Sequence, residues 1–454
     1  MTEKIEKLFQ AVDANREKMD EALDYIWKHP ETGYREWKTT ADLEKEYEQL
    51  GYQLVRAGNI PGFITNLDTG RPGPTVLVMA ELDSLLCADH PAADPETGAV
   101  HACGHCAQAA ALLGVAACLK IPGALDGLSG RIRLCMVPAE ELLELSYREE
   151  LRQKGIIRYF GGKQEFLWRG LFDGVDMCFM IHQYASDTCD FFLNWGGNGC
   201  IVKNVEYHGV AAHAGGCPDQ GINALYAANL GLNAIYALRE TFRDDDHIRV
   251  HPIITRGGDA VNAIPNAVRL ESYIRGGSLK AMKQANRKVN RALCGTAAAM
   301  GANISIHDRP GYTPVCVDPT MYDAMKQAIE CVVPDERIDC SNEWSSACTD
   351  MGDMSAVMPI AYAHVAGCIG QGHGNDYYVE NKERAVYNSA KAQLAMLELL
   401  LEDDARLAKE VLAKARVPFT KEQYFAEMDS QILDRSAAVS YENAGKACLD
   451  FADD

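Results

Sequence analysis

An α/β domain interrupted by a smaller, inserted α+β domain is the fold class this sequence predicts, and three observations predict it. Four short apolar runs, at 74–80, 132–137, 175–181 and 361–368, are each bounded by polar residues, the pattern of fully buried strands. Between about residues 196 and 306 the texture changes to strand–helix–strand–strand–helix–strand. At 454 residues the chain is long enough for two or three domains, or for one large domain carrying an insertion.

Taken in order, helical signals cover about 2–28, an amphipathic stretch of mixed charge, and 37–50. A strand pair at 63–65 and 75–78 follows, then a buried helix of small residues at 104–120. Residues 143–172, rich in charge and aromatics, read as a mostly helical excursion between two core strands. Strand patterns at 201–208, 247–254 and 267–274 alternate with helices at 221–241 and 279–300. A last strand at 303–306 closes a ferredoxin-like order. Helices at about 380–413 and 420–432 end the chain. The predicted division is therefore 1–195 with 309–454 for the larger domain and 196–308 for the insertion.

Composition narrows the function classes. The net charge of −20 leaves no basic stripe to neutralise phosphates, which argues against a nucleic-acid partner. The N-terminal stretch lacks a basic segment followed by an apolar one, so no signal peptide is expected. No apolar stretch approaches 18 residues, so no membrane partner is expected either. The sixteen cysteines are dispersed, which fits reduced thiols and a cytoplasmic location.

The chemistry concentrates in His101-Ala102-Cys103-Gly104-His105, where a thiol and two imidazoles share one turn. Thiolate and imidazole are preferred ligands of transition metals. Cys103 and His105 lie two apart, so they converge only on the turn before a helix, where the helix terminus also favours a thiolate. Each apolar run then leads to polar residues: Glu81 and Asp83, Pro138-Ala139-Glu140-Glu141, His182 and His373. Ligands of α/β sheets gather beyond the carboxyl ends of parallel strands, so this recurrence points to a metal site.

These residues resemble the M20 metallopeptidase and amidohydrolase superfamily, in particular its aminoacylase and aminobenzoyl-glutamate hydrolase-like branch. The markers are His29-Pro30-Glu31-Thr32-Gly33, Asp83, the His101–His105 cluster, Pro138–Glu141, His182, His213-Ala214-Gly215, Asn262-Ala263-Ile264-Pro265, Thr349–Ser355 and Gly372-His373-Gly374. The resemblance implies a phosphorylase/hydrolase-like three-layer catalytic domain, with the insertion as a lid that makes a homodimer. It implies two divalent metal ions about 3.5–4 Å apart, zinc or manganese with cobalt or nickel open. Cys103 would bridge them, His105 and His182 completing one shell and Glu141 and His373 the other. Glu140 resembles the general base, Asp83 a residue that orients a ligating imidazole, and His213 an oxyanion stabiliser delivered across a dimer interface. Asn262 and Arg275 resemble the residues that hold the substrate's carboxylate.

The implied activity is metal-dependent cleavage of the amide bond of a small N-acyl or N-aroyl amino acid, aminobenzoyl-glutamate among them, or of a dipeptide. Carbamoyl or amidine hydrolysis on the same site, a non-catalytic metal-binding or ligand-binding homologue, and a Cys103 thiol hydrolase are the alternatives. His101, His208, His247, His251 and His364 are read as structural. Three departures from the pattern stand out. Cys106 follows the cluster where relatives carry Asp or Asn. Glu81 stands where other branches place a histidine ligand. The 143–172 excursion and the extension past Leu401 are long, and are expected to reshape substrate access.

Overall fold

All seven residues of Thr75–Glu81 are buried, as a strand covered on both faces requires. The computed structural model describes residues 3–340, 343–443 and 446–450. In chain order the strands that matter below are β1 (Phe63–Asp68), β2 (Thr75–Glu81), β3 (Arg131–Val137), β4 (Met177–Ala185), β5 (Gly199–His208), β6 (Ala267–Gly276), β7 (Asn303–Pro310), β8 (Ile360–Ile369) and β9 (Leu433–Arg435). The helices are α1 (His105–Cys118), α2 (Leu145–Gln153), α3 (Gly162–Trp168), α4 (Ala224–Leu238) and α5 (Leu279–Ala299).

The first compact unit comprises Met1–Gly196, Cys316–Trp344 and Asp353–Pro418. Its sheet runs Leu54–Arg56, β1, β3, β2, β4, β8, Phe191–Leu193, Ile338–Asp339. The four apolar runs are its centre: β3, β2, β4 and β8 are mutually parallel, whereas β1 runs antiparallel to β3. Parallel pairing sends all four carboxyl ends to one edge. There Glu81 lies opposite Val137, and His182 lies opposite His364. Helix α1 has every residue buried, as a helix apolar all round must be.

One local expectation differs from the structure. The helix expected over 2–28 is broken into Glu3–Ala14 and Arg16–Lys28, because the Asn15 side chain donates to the Ala11 carbonyl at 2.8 Å and competes with the backbone ladder. The 143–172 excursion carries the two expected helical stretches, α2 and α3, and part of its charge points inward. Arg148 on α2 and Lys163 on α3 are fully buried, and Gly162–Leu167 is buried throughout.

The second unit comprises Gly197–Val315, Ser345–Gly352 and Phe419–Asp454. The edge pieces Arg249–Val250 and Ile253–Arg256, then β6, β5 and β7, form an antiparallel sheet in the ferredoxin-like order. Its core is built from Val205, Tyr207, Leu270, Ile274, Leu293 and Ile306 among others. The segment Phe419–Asp454, which the sequence reading gives to the larger domain, groups here instead. The reason is edge pairing: after the helix Lys421–Asp429 the chain turns into β9, which covers the outer edge of β7.

None of the sixteen cysteines forms a disulfide. Among the described residues no helix is long and apolar enough to cross a membrane.

Inside the second unit Lys203 is fully buried and bonds Asp308 Oδ1 and Asn290 Oδ1, both at 2.5 Å. Asp308→Ala leaves that ammonium buried without a counter-ion, and the expected loss is about 3–5 kcal/mol. Urea unfolding measures it; a loss below ~1 kcal/mol, in the range of a surface ion pair, would show that the pair does not brace this sheet.

Candidate metal centre

The His101–His105 cluster forms the turn its spacing requires. Gly104 adopts φ 88°, and a Cβ there would lie 2.5 Å from Tyr377 Oη and 2.7 Å from Gln183 Cβ, so only glycine fits. Cys103 sits in the turn and His105 opens α1, so the two side chains converge on one side of the helix start.

Three donor groups result, each with its ligand atoms within 4.8 Å of one another: Cys103, His105 and His182; Cys103, Glu141 and His373; and His105, Glu140 and Glu141. Cys103 belongs to two of them. Its sulfur lies 3.5 Å from His182 Nε2, and His373 Nε2 lies 3.1 Å from Glu141 Oε1.

The imidazoles are aimed from behind. His105 Nδ1 lies 2.8 Å from the Asp83 carbonyl and 3.1 Å from its Oδ1, and His182 Nδ1 lies 2.6 Å from the Gln183 carbonyl. In both rings this leaves Nε2 for the cluster. Two buried atoms there, His105 Nε2 and Glu141 Oε1, meet only the opposite charges of Glu81 Oε2 at 3.2 Å and His373 Nε2 at 3.1 Å. Imidazole nitrogens and a carboxylate converging with a thiol fit a borderline-soft divalent cation.

The electrostatics agree with that fit. Burial pushes the Cys103 thiol up, but His105 and His182 outweigh it and bring it down to about 6. Burial alone would lower both histidines; the Cys103 sulfur and Glu81 instead hold them above the usual imidazole range. His373 is lifted to about 11 by its bonds to Cys103 and Glu141. Against burial, His373 brings Glu141 down to about 2. Protons on the imidazoles thus balance the anions as a bound cation would.

Five residues to which sequence reasoning gave no role in the site hold it together. Glu81, completely buried, accepts from Lys163 Nζ at 2.5 Å and from Gln108 Nε2 at 2.8 Å, and its Oε2 lies 3.2 Å from His105 Nε2. Glu36 accepts from the Ala139 amide at 2.8 Å, and burial together with Asp83 holds its carboxyl well above the carboxylate range. Arg148 donates to backbone carbonyls of the loop that carries Glu140 and Glu141. Sequence pattern could not show Lys163 or Arg148, because charge on a helix ordinarily means a solvated face. Cys106 is buried beside the cluster, where burial raises its thiol pKa.

In the second unit His213 and Asn262 come together: His213 bridges Ala263, and the Ala214 amide donates to the Asn262 carbonyl at 3.0 Å. His213 Nδ1 accepts from the amides of Gly215 and Gly216 at 3.1 and 2.9 Å, which leaves the proton on Nε2. Arg275 is not with them. It pairs with Cys200, at the opposite end of β6 from the pairing of Ala267 with His208.

A family model described as peptidase family M20/M25/M40 matches residues 77–399. The chain belongs to this family. That span opens inside β2 and includes all three donor groups described above. Among similar proteins, the Xaa-Arg dipeptidase of Homo sapiens is 28% identical over 378 residues, 77% of this chain and 77% of that one. One of the proteins that make up the p-aminobenzoyl-glutamate hydrolase of Escherichia coli (strain K12) is 26% identical, covering 70% of this chain and 63% of its own. A solved dinuclear metal binding peptidase of the M20 family from Bacillus subtilis superposes with a TM-score of 0.60 at 19% identity, over 86% of this chain and 99% of its own.

In the metal-free protein the thiolate absorbance of Cys103 is expected to titrate near pH 6. It fades as pH falls through that value and is missing from Cys103→Ser. An ultraviolet titration that shows only ordinary thiols, above pH 8, would detach the sulfur from its imidazoles.

Proposed function

We propose that this chain is a metal-dependent hydrolase of C–N amide bonds in small N-acyl or N-aroyl amino acids or dipeptides. The observation that carries the reading is the sharing of Cys103 by two donor groups, with Glu140 within 4.8 Å of the ligand atoms of His105 and Glu141. In this reading Cys103 would help hold both of two divalent ions, one together with His105 and His182 and the other together with Glu141 and His373. Divalent ions held there, zinc or manganese first among them, supply Lewis acidity and acidify water.

Glu140 takes a proton from the attacking water and returns it to the leaving amine. Its neighbour Glu141 is spent on a cation, so the two adjacent carboxylates divide the work. Asp83 keeps the His105 ring fixed. His213, neutral with its proton on Nε2, donates to the oxygen that gains charge as the carbonyl becomes tetrahedral. Asn262 and Arg275 hold the carboxylate of the product amino acid, Arg275 through its fork. The relatives' names put p-aminobenzoyl-glutamate and Xaa-Arg dipeptides first on the substrate panel.

A second copy of the chain completes this scheme. From Ala267 to Arg275 are eight steps of extended strand, roughly 27 Å at about 3.4 Å each. His213 and Arg275 of one copy therefore serve different sites. Tyr226 and Leu230, one turn apart on α4, and Ile253 on the sheet edge are exposed apolar side chains suited to a homodimer contact.

Two measurements test these points. Glu140→Gln should keep its metal and lose about 10²–10⁴-fold in kcat on the best panel substrate, and chelation should abolish activity until metal is restored. Parent-like turnover by Glu140→Gln removes the base, and activity that survives chelation returns the thiol hydrolase. Mixing inactive Glu140→Gln with inactive His213→Ala should regain activity through mixed dimers; a monomer in light scattering, or no regain, defeats the shared site.

A further inference from the structure

Arg148 is 1% exposed, and the four bonds described for its guanidinium all end on backbone carbonyls. Nε donates to Leu143 O at 2.9 Å, Nη1 to Ala139 O at 3.2 Å and to Phe160 O, and Nη2 to Glu141 O. A rigid planar fork used this way fixes geometry rather than neutralising charge.

The loop it grips is held from the other side as well. The amide of Ala139 donates to Glu36 Oε1 at 2.8 Å, and the amide of Glu141 donates to Asp83 Oδ2 at 2.7 Å. Both residues that flank Glu140 therefore have N–H and C=O bound, by carboxylates on one side and by one guanidinium on the other. Ala139 adopts φ 60°, a left-handed conformation that a residue with a Cβ keeps only when its surroundings over-determine it.

The excursion that delivers Arg148 is tied down beside the loop. The Tyr34 hydroxyl donates to Tyr159 O at 3.0 Å and Gly161 O at 3.3 Å, and the Glu144 carboxylate bonds Thr32 and Arg35. The guanidinium also packs on backbone: a Cβ at Gly33 would lie 2.3 Å from Arg148 Nη2 and 3.0 Å from Ala139 Cα.

We propose that Arg148 is a positioning residue for Glu140, and that residues 142–160 act as an inner brace for the loop bearing the base. The inference rests on Glu140 being the base. Proton transfer needs the carboxylate within hydrogen-bond reach of water, and a displacement of about 1 Å costs on the order of 10²-fold in rate.

Arg148→Lys keeps the charge but loses the fork that spans four carbonyls. The variant should bind manganese with the parent's stoichiometry and hydrolyse the best panel substrate with kcat down about 10²-fold at unchanged KM. In the metal-free protein, the amides of Ala139 and Glu141 should exchange hydrogen faster than in the parent. In a Glu140→Gln background the same substitution should lower the residual rate no further, since the group it positions is already lost. Gly33→Ala displaces the guanidinium without removing it, should give the same pattern, and serves if the lysine variant does not fold. Parent-like kcat and exchange, or an equal loss in the Glu140→Gln background, overturns the proposal. A fully active Glu140→Gln is a different result, which dismisses the base itself.

Discussion

One buried carboxylate, that of Asp83, joins the two halves of the donor cluster. One oxygen faces the His105 imidazole of the first triad, and the other accepts the backbone amide of Glu141 in the second. Neither triad can shift without the other. The tie is possible because β2 and β3 are parallel and end together: the Leu82 amide donates to the Val137 carbonyl, which brings the start of one loop beside the start of the next. The geometry of the site is thus inherited from sheet register.

Placing so much charge out of water is costly unless every group has a partner. Here the partners come in layers. Lys163 and Gln108 hold Glu81 from behind, Glu81 faces His105, and His105 and His182 face the sulfur. The left-handed backbones of Tyr34, Ala139, Glu144 and His373 lie in the segments that carry or brace these groups. Strain of this kind is kept where the surrounding structure holds it, and at functional sites.

Much of this was legible in the sequence because it follows from periodicity and spacing. The four apolar runs form the parallel centre of the sheet, and the cysteine and histidines at 103, 105, 182 and 373 cluster with Glu141. What escaped was whatever depends on burial of residues that are ordinarily exposed. Arg148 and Lys163 lie on helices whose charge reads as a wet face, yet both are interior. β9 escaped because three residues following a helix carry no strand signal of their own; the open edge of β7 makes them one. Asn262 and Arg275 read alike in the sequence, and only the length of β6 separates them.

The strand at Leu433–Arg435 also fixes an order of assembly. On the ribosome, most of the α+β unit is synthesised by residue 310, but its sheet lacks a final strand made more than a hundred residues later. Through that interval the edge of β7 stands open, an exposed template for another nascent chain. Maturation of this unit therefore waits for three late residues, and excising 196–308 as an independent cassette would leave that edge permanently bare.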